Sequence, residues 1–543
     1  MHNMTPRGDE PRNEAVLQFL PKSPETRALK DELSRQAASK VDIPLIINGK
    51  EIRTGQTEAC LIPHNHKHSL GVFHKAGIEE VRQAITGSQT AYQDWSRMPS
   101  HARAGVFLRA AELLATKYRP ILNAATMLGQ SKTCHQAEID AAAEFIDFLR
   151  FNVYFQNQMH QIQPLSVAGI RNELQYRPLE GFVFAVTPFN FTSIAGNLPT
   201  SAALMGNVSL WKPASTAVYS GYFIMKLLHE AGLPPGVIQF LPGSGRQVGD
   251  PVLEDPHLAG IHFTGSTGVF QGMWKRVGEN IQRYKSYPRI VGETGGKDFI
   301  FAHPSADVTA LTAAVVRGAF EYQGQKCSAA SRLYVPKSMW AELRSRLEAE
   351  LATIRMGDVS DFRNFMGAVI DKSSFDNIKH YIDGARTSAD AEVIFGGKCS
   401  DEVGYFVEPT VILAKQPNYR TLCEEIFGPV LTVYVYDDSK LDETLRICDQ
   451  TSPYALTGAI FAQDRAVINH MSDVLTQSAG NFYINTKPTG AVVGQQPFGG
   501  ARGSGTNDKA GSLWNLSRWV SLRTVSETFS PPLNYRYPFL DEA

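Results

Sequence analysis

Three residues could do covalent or proton-transfer chemistry, given their types and neighbours. Cys327 sits in GQKCSAASRLYVP, residues 324–336, between a helical stretch and a strand. A cysteine there is either buried filler or a nucleophile. Lys326 beside it is cationic, Gly324 frees the backbone and small residues follow. No His–Asp pairing of the cysteine-protease kind accompanies it. A thiol acting here therefore needs an electrophile it can attack without a coupled imidazole, and aldehydes meet that condition. Glu293 ends an apolar strand in GETGGK, residues 292–297, 34 positions before Cys327. It is either a surface carboxylate or a base that activates water. Asn190, in TPFNFTS at residues 187–193, follows the strand GFVFAV and is flanked by Phe189 and Phe191. It either caps a helix or donates to a developing oxyanion.

A second group of residues points to a phosphate-bearing ligand. Gly265-Ser266-Thr267-Gly268 follows an apolar strand and opens a helix, whose first N–H groups either hold a phosphate or only close a turn. Lys212 follows the strand NVSLW. It is a solvated lysine or one placed at the strand ends where open α/β sheets bind ligands.

These residues need a scaffold. From residue 181 to 293, apolar strands alternate with helices at roughly 25-residue spacing, and the strands are apolar throughout rather than alternating. That pattern predicts a doubly wound parallel sheet of the nucleotide-binding kind. After Gly296 a second βα series begins. Expected helices run from Ile78 to Trp95, Arg103 to Tyr118 and Ala137 to Phe151, and a strand pair turns at Asn48-Gly49. Residues 161–181 have β character without a helix beside them and read as a flap. The strand WVSLRTVSETF near the chain end pairs with it or with another subunit. The expected division is a cofactor domain from 1–160 and 181–295, a catalytic domain from 296–510, and an oligomerisation flap and tail from 161–180 and 511–543. Residues 1–40 are expected to be a polar surface arm.

Composition narrows the function. The 543 residues carry a net charge of −1 with no basic run, which argues against nucleic acid or an anionic membrane as partner. The six cysteines lack CxxC spacing, so neither a metal site nor a disulfide framework is expected. No apolar stretch is long enough to span a bilayer. The N-terminus has no apolar signal region, and Asp9, Glu10 and Glu14 are unusual for a transit peptide.

TPFNF, WKP, FTGSTG, ETGGK, GQKCS, EEIFGP (424–429) and NFYIN (481–485) occur in that order. Together they resemble the aldehyde dehydrogenase superfamily, and the likeness runs from about Pro44 to Ser526. Within it, QAEIDAAAEFIDFLRF and TGAVVGQQPFGGARGSGTNDKAG resemble the branch that oxidises glutamate 5-semialdehyde. The resemblance implies an α/β fold with a Rossmann-type cofactor domain, a second α/β catalytic domain and a β-flap for oligomerisation. It implies that Cys327 attacks the aldehyde, that Asn190 and the Cys327 N–H hold the oxyanion, and that Glu293 activates water. NAD is implied along Thr187, Pro188, Phe189, Lys212, Ser215, Gly265, Ser266, Thr267, Gly268 and Val269, with Glu425 and Phe427 at its nicotinamide end. The substrate carboxylate falls to Lys326, Ser328, Gly490 and Ala491, its aliphatic part to Phe191 and Phe498, and its ammonium to Glu138. Lys326 is expected to favour the Cys327 thiolate. A homodimer or larger homo-oligomer is implied, in the mitochondrial matrix of a eukaryote or the cytoplasm of a bacterium.

Three positions depart from the common pattern. Ser215 stands where many relatives have a ribose-gripping glutamate. Gly268 replaces a later glycine of the phosphate turn. Asp298 stands where relatives often carry asparagine. Oxidation of aminoadipate semialdehyde, or cofactor-free thiol hydrolysis or acyl transfer, are the alternatives.

Overall fold

The structure, a computed structural model, describes residues 10–541; the first nine residues of the expected N-terminal arm and the last two of the tail lie outside the described residues. The apolar runs of the middle of the chain form one seven-stranded sheet. Its spatial order is Arg289–Glu293, Leu258–Thr264, Phe182–Val186, Val208–Lys212, Ile238–Phe240, Leu45–Ile47, Lys50–Ile52. The first five are parallel neighbours; the last two run antiparallel around Asn48 and Gly49, both at positive φ as a tight hairpin turn requires. Phe182, Val183, Phe184 and Ala185 are fully buried because helices cover both faces of the sheet.

Strand order reverses beside Phe182–Val186: the chain moves outward on one side, then returns to place Leu258–Thr264 on the other. Crevices at such reversals, at the carboxyl ends of the strands, are where open α/β sheets take ligands. The residues following those two strands are Thr187–Phe191 and Gly265–Gly268.

A second seven-stranded sheet begins at Asp298, after a four-residue link from Glu293. In space it runs Ala391–Phe395, Thr410–Ala414, Val430–Tyr436, Ala330–Pro336, Asp298–Ala302, Thr457–Phe461, Asn481–Ile484, all parallel except the first. Cys327 lies just before Ala330–Pro336, so the two sheets bring Glu293 and Cys327 to one cleft. Ile170–Pro178 pairs antiparallel with Val520–Thr528 and belongs to neither large sheet.

Two expectations need correction. The expected helix from Ala137 begins at Cys134 and runs to His160, but Glu138–Ala143 is π-helical. The extra residue per turn rotates everything before it relative to everything after it. The arm is also not a surface feature. After an irregular stretch from residue 10, Pro24–Ala38 is a helix capped by Ser23, with Leu29 and Leu33 in the core, and Phe19 is buried.

Candidate active site

The loop that presents Cys327 is held in an unusual shape. Tyr322, Gln323 and Gly324 have φ of 51°, 54° and 64°, three successive left-handed residues. For the two non-glycines this costs roughly 1–2 kcal/mol each. Buried hydrogen bonds hold them there. The Tyr322 hydroxyl donates to the Gln130 carbonyl at 3.0 Å, and the Gln323 amide donates to the carbonyls of Ala368 at 2.7 Å and Ser131 at 3.1 Å. Gly324 is needed for space as well, since a Cβ there would lie 2.3 Å from the Gly428 carbonyl oxygen. The Gln325 side chain accepts from the Ile370 N–H at 2.9 Å, and its main-chain carbonyl accepts from the Asn190 amide at 3.2 Å. Asn190 is therefore not the helix cap, a position held by Phe191. It is buried, its amide held against Gln325, the residue two positions before Cys327, and it is not part of the cavity wall.

Cys327 lies at a neck. On one side is a cavity of about 260 Å³ whose wall includes Phe191, Glu293, Lys326, Ser328, Gly490, Ala491 and Phe498. On the other is a narrow cleft bounded by Gly296, Asp298, Glu425 and Phe427. Cys327 is thus buried, with the residue 9% exposed, yet it borders both spaces. Glu293 stands at its strand end with one carboxylate oxygen accepting from the Gly500 N–H at 3.1 Å. Burial pushes its carboxyl well above the usual range, against the Gly500 hydrogen bond and the nearby Lys509. Burial also pushes the Cys327 thiol up, and the carboxylates of Asp298, Glu293 and Glu425 add to it.

Lys326 does not behave as expected. Its ammonium lies 3.5 Å from Glu321 and 3.9 Å from Asp140, and Lys132 is ion-paired with the same Asp140. The groups acting on the thiol are carboxylates, so lowering of its pKa by Lys326 is not what this arrangement gives.

The second side of the neck has groups suited to a dinucleotide. The helix Thr267–Glu279 has Ser266 at its N-cap position with no side-chain cap, leaving its first N–H groups open to an anion. Val269 presents an exposed apolar surface. Gly265 donates its N–H to the Glu293 carbonyl, and the Thr267 hydroxyl meets the Tyr454 hydroxyl at 3.2 Å. A Cβ on Gly268 would meet open space, so this departure from the common turn leaves no steric signature. Lys212 makes only a 3.2 Å bond to the Pro213 carbonyl. Thr187 accepts from the Trp211 indole at 2.9 Å, and Pro188 follows it into the turn. Phe189 meets Phe427 edge-on at 5.8 Å, with Phe427 itself held at φ 59°. Glu425 accepts from the Gly296 N–H at 2.9 Å. Ser215 opens a short turn on a separate cavity of about 210 Å³, beside Cys60 and Tyr219.

Glu138 is not at the site. It is fully buried and absent from the cavity wall; its carboxylate accepts from Arg119, from Asn123 at 2.7 Å and from the Leu17 N–H at 3.0 Å. The π-helical turn is the physical reason, because it brings Asp140 and Glu144, rather than Glu138, to the cavity. Glu144 accepts from the Ser193 hydroxyl, and burial next to Asp140 pushes its carboxyl up to about 8. Burial opposes the charge on Asp140 too, yet Lys132 and Lys326 hold it below the usual range. Asp298, the unusual residue of GGKDF, accepts from the Thr457 N–H at 2.7 Å. Beside it Lys297 is buried with no partner for its amine, and burial lowers it to about 7.

A family model described as the aldehyde dehydrogenase family matches residues 52–525. The chain belongs to the aldehyde dehydrogenase family. It is 55% identical to the mitochondrial delta-1-pyrroline-5-carboxylate dehydrogenase of Dictyostelium discoideum, over 98% of this chain and 96% of that one. Among solved structures, the delta-pyrroline-5-carboxylate dehydrogenase of Mycobacterium tuberculosis bound with NAD superposes with a TM-score of 0.95 at 50% identity, covering 98% of both chains. The 1-pyrroline-5-carboxylate dehydrogenase from Thermus with bound NAD does so at 0.89 and 32% identity, covering 96% of this chain and 99% of that one. Family motifs account for the neck and its cleft. Asp140 and Glu144, inside QAEIDAAAEFIDFLRF but given no role by the sequence reading, also line the cavity, as do the arm residues Asn13, Glu14 and Val16, which no motif contains.

Proposed function

We propose that this chain oxidises L-glutamate 5-semialdehyde, the open form of 1-pyrroline-5-carboxylate, to L-glutamate in the second step of proline breakdown, with NAD as acceptor. The observation that carries the reading is the position of Cys327, which borders both a cavity with acidic side chains and a cleft with Glu425 and Phe427. Kinship with pyrroline-5-carboxylate dehydrogenases of high identity supports the substrate, and the NAD bound to those relatives supports the cofactor.

The residues present fit a dinucleotide: an uncapped helix start at Ser266-Thr267 for its phosphates, Val269 and Lys212 for its adenosine, Glu425 and Phe427 for its nicotinamide riboside. When bound, NAD supplies the acceptor for the hydride leaving the carbon joined to Cys327. The protein does the rest. The Cys327 sulfur attacks the aldehyde carbon, and the Cys327 N–H, with the second N–H of the Asn190 amide whose first is held by the Gln325 carbonyl, steadies the oxygen as it becomes anionic. A hydride departs readily only from a carbon bearing that oxyanion, so nucleophile and donors must be held together beforehand. Glu293 then takes a proton from the water that hydrolyses the thioester. Its raised pKa brings it nearer the working pH, where a base is most effective.

Substrate groups are assigned by charge and exposure. Lys326, the Ser328 hydroxyl and the backbone at Gly490 and Ala491 receive the carboxylate. Phe191 and Phe498 flank the methylenes. Glu144 with Asp140 takes the ammonium in place of Glu138. Ser328 now bonds Thr489 at 2.8 Å and is free to exchange that partner for the substrate.

The division into a cofactor domain (residues up to 160 and 181–295), a catalytic domain (296–510) and a flap with tail is part of the same reading. A homodimer or larger assembly is supported by the paired strands Ile170–Pro178 and Val520–Thr528 and by exposed Leu533, Tyr535 and Phe539 beyond them. Mitochondrial relatives support the matrix as the compartment in a eukaryotic host. Among the described residues no helix is long and apolar enough to cross a membrane. The test is NADH formation from pyrroline-5-carboxylate with NAD and NADP in parallel, for wild type and Cys327→Ala. The variant is expected to bind dinucleotide yet form no NADH. Turnover by the variant, or none by the wild type, would overturn the reading.

A further inference from the structure

The substrate cavity is closed in part by a segment that no catalytic motif contains. Asn13, Glu14 and Val16 belong to the irregular stretch before the helix Pro24–Ala38, and all three are in the cavity wall. Their placement is tightly specified. The Asn13 amide donates to Asp147 at 2.8 Å and to the Val493 carbonyl at 2.8 Å, and its oxygen accepts from Gln495 at 2.9 Å. The Glu14 N–H donates to Asp147 at 2.7 Å. Its carboxylate bridges Arg119 at 2.7 Å and Arg150 at 2.6 Å. Leu17 follows, its N–H bonded to Glu138. The segment thus ties the helix carrying Asp140 and Glu144 to the turn carrying Gly490 and Ala491, the two elements that hold the charged end of the substrate. Glu138 anchors this tie, which is why a carboxylate is buried there.

We propose that Asn13, Glu14 and Val16 are specificity-determining residues: they form a wall of the substrate cavity and exclude aldehydes longer or bulkier than a five-carbon amino-acid semialdehyde. The proposal rests on the function proposed above for its substrate, but its steric content does not. A wall of main chain and short side chains fixed by charged partners cannot yield to a larger ligand as a mobile loop would, and one methylene in a closed pocket changes selectivity roughly 10–200-fold.

The test uses the full chain with Val16→Ala alone, and with Asn13→Ala and Val16→Ala together. Steady-state kcat/KM is measured for pyrroline-5-carboxylate, propanal, hexanal and benzaldehyde. Alkylation of Cys327 by iodoacetamide and by a bulky N-benzylmaleimide is timed alongside. The expected result is a rise of roughly ten-fold in hexanal or benzaldehyde kcat/KM relative to propanal. KM for pyrroline-5-carboxylate should increase, and the bulky reagent should gain on iodoacetamide by several-fold. Unchanged size selectivity and an unchanged alkylation ratio in variants with wild-type melting temperature would overturn the proposal. The single Val16→Ala variant removes only two methyl groups and keeps the test valid if the double variant does not fold. Failure of the wild type on pyrroline-5-carboxylate would sink the proposed function alone, because the alkylation ratio still reports on the wall.

Discussion

Gly296→Ala is expected to abolish most of the activity without unfolding the protein, and the size of the effect follows from the geometry. Gly296 lies in the four-residue link between the two sheets, where its N–H holds Glu425. A Cβ built on it would sit 2.2 Å from the Cys327 carbonyl oxygen and 2.5 Å from an Asp298 carboxylate oxygen. A relaxed carbon–oxygen contact is about 3.3 Å, so one of the two backbones must move by about 1 Å. Asp298 is pinned by Thr457 and pairs with Ala330 in the second sheet. The strained loop of Tyr322–Gly324 is held at several points. The movement therefore falls on the Cys327 peptide, which in the proposed function carries both the nucleophile and an oxyanion donor. A misplacement of this size costs about 10²-fold in rate, equivalent to about 2.7 kcal/mol of barrier. Overpacking should cost a further 1–3 kcal/mol of stability, as an order of magnitude. The assay is kcat and KM from NADH absorbance, with thermal unfolding of the same samples. Gly384→Ala, on the helix Lys372–Thr387 where a Cβ meets nothing within 4 Å, is the control. A folded Gly296→Ala enzyme with kcat within about three-fold of wild type would refute the claim that this close approach positions the sulfur.

Glu293→Gln should release one equivalent of NADH per site and then stall, since only thioester hydrolysis needs its base; stopped-flow absorbance without a burst would count against that role. Glu144→Gln should raise KM for the semialdehyde about ten-fold, the loss of one hydrogen bond to a charged group, and leave propanal untouched. Glu138→Gln should move the two substrates together. For Asp298→Asn the readout is urea unfolding against pH. Burial raises the Asp298 carboxyl from 3.8 to about 8 in the folded protein. Its contribution is therefore fully present below about pH 4 and is lost as pH rises toward 8. The asparagine variant keeps the bond to Thr457 and removes that loss, so its advantage over wild type should grow between about pH 4 and pH 8, to as much as about 6 kcal/mol at the one-unit rate of about 1.4 kcal/mol. A pH-independent difference would show that Asp298 is ionised in the fold.

The sheet was legible because parallel strands covered on both faces leave continuous apolar runs. Motifs at their carboxyl ends then map onto the reversal of strand order without further information. Thr187–Phe191, Lys212 and Gly265–Gly268 follow this rule. Glu138 shows where the rule stops. A helical pattern assumes about 100° per residue, and nothing in QAEIDAAAEFIDF announces a π-helical turn that changes the phase before Glu144. The arm was unreadable for a different reason. Asn13 and Glu14 look like solvated polar residues until Asp147, Arg119 and Val493 are brought beside them from positions more than 100 residues away, a relation with no local signature. The left-handed Tyr322 and Gln323 are likewise paid for by partners at Gln130, Ser131 and Ala368 that sequence proximity does not supply.

The same non-local logic reverses the simplest idea about Cys327. Adjacent in sequence, Lys326 looks like the group that would ionise the thiol. In space its charge is balanced by Glu321 and Asp140, and the thiol faces Asp298, Glu293 and Glu425 instead. A buried thiol among carboxyl groups stays protonated, and a protonated thiol resists oxidation and adventitious alkylation. Forming the nucleophile then requires either that a neighbouring carboxyl accept its proton or that positive charge enter the cleft beside Glu425 and Phe427. In such a water-poor interior a single charge acts far more strongly than it would at the surface. The oxidised nicotinamide ring is cationic, and in the proposed function Glu425, which borders that cleft, receives the riboside that carries it. On the proposed function, reactivity of the sulfur would thereby be tied to occupancy of the dinucleotide cleft, an order of events that an unpaired Lys326 beside the thiol would have removed.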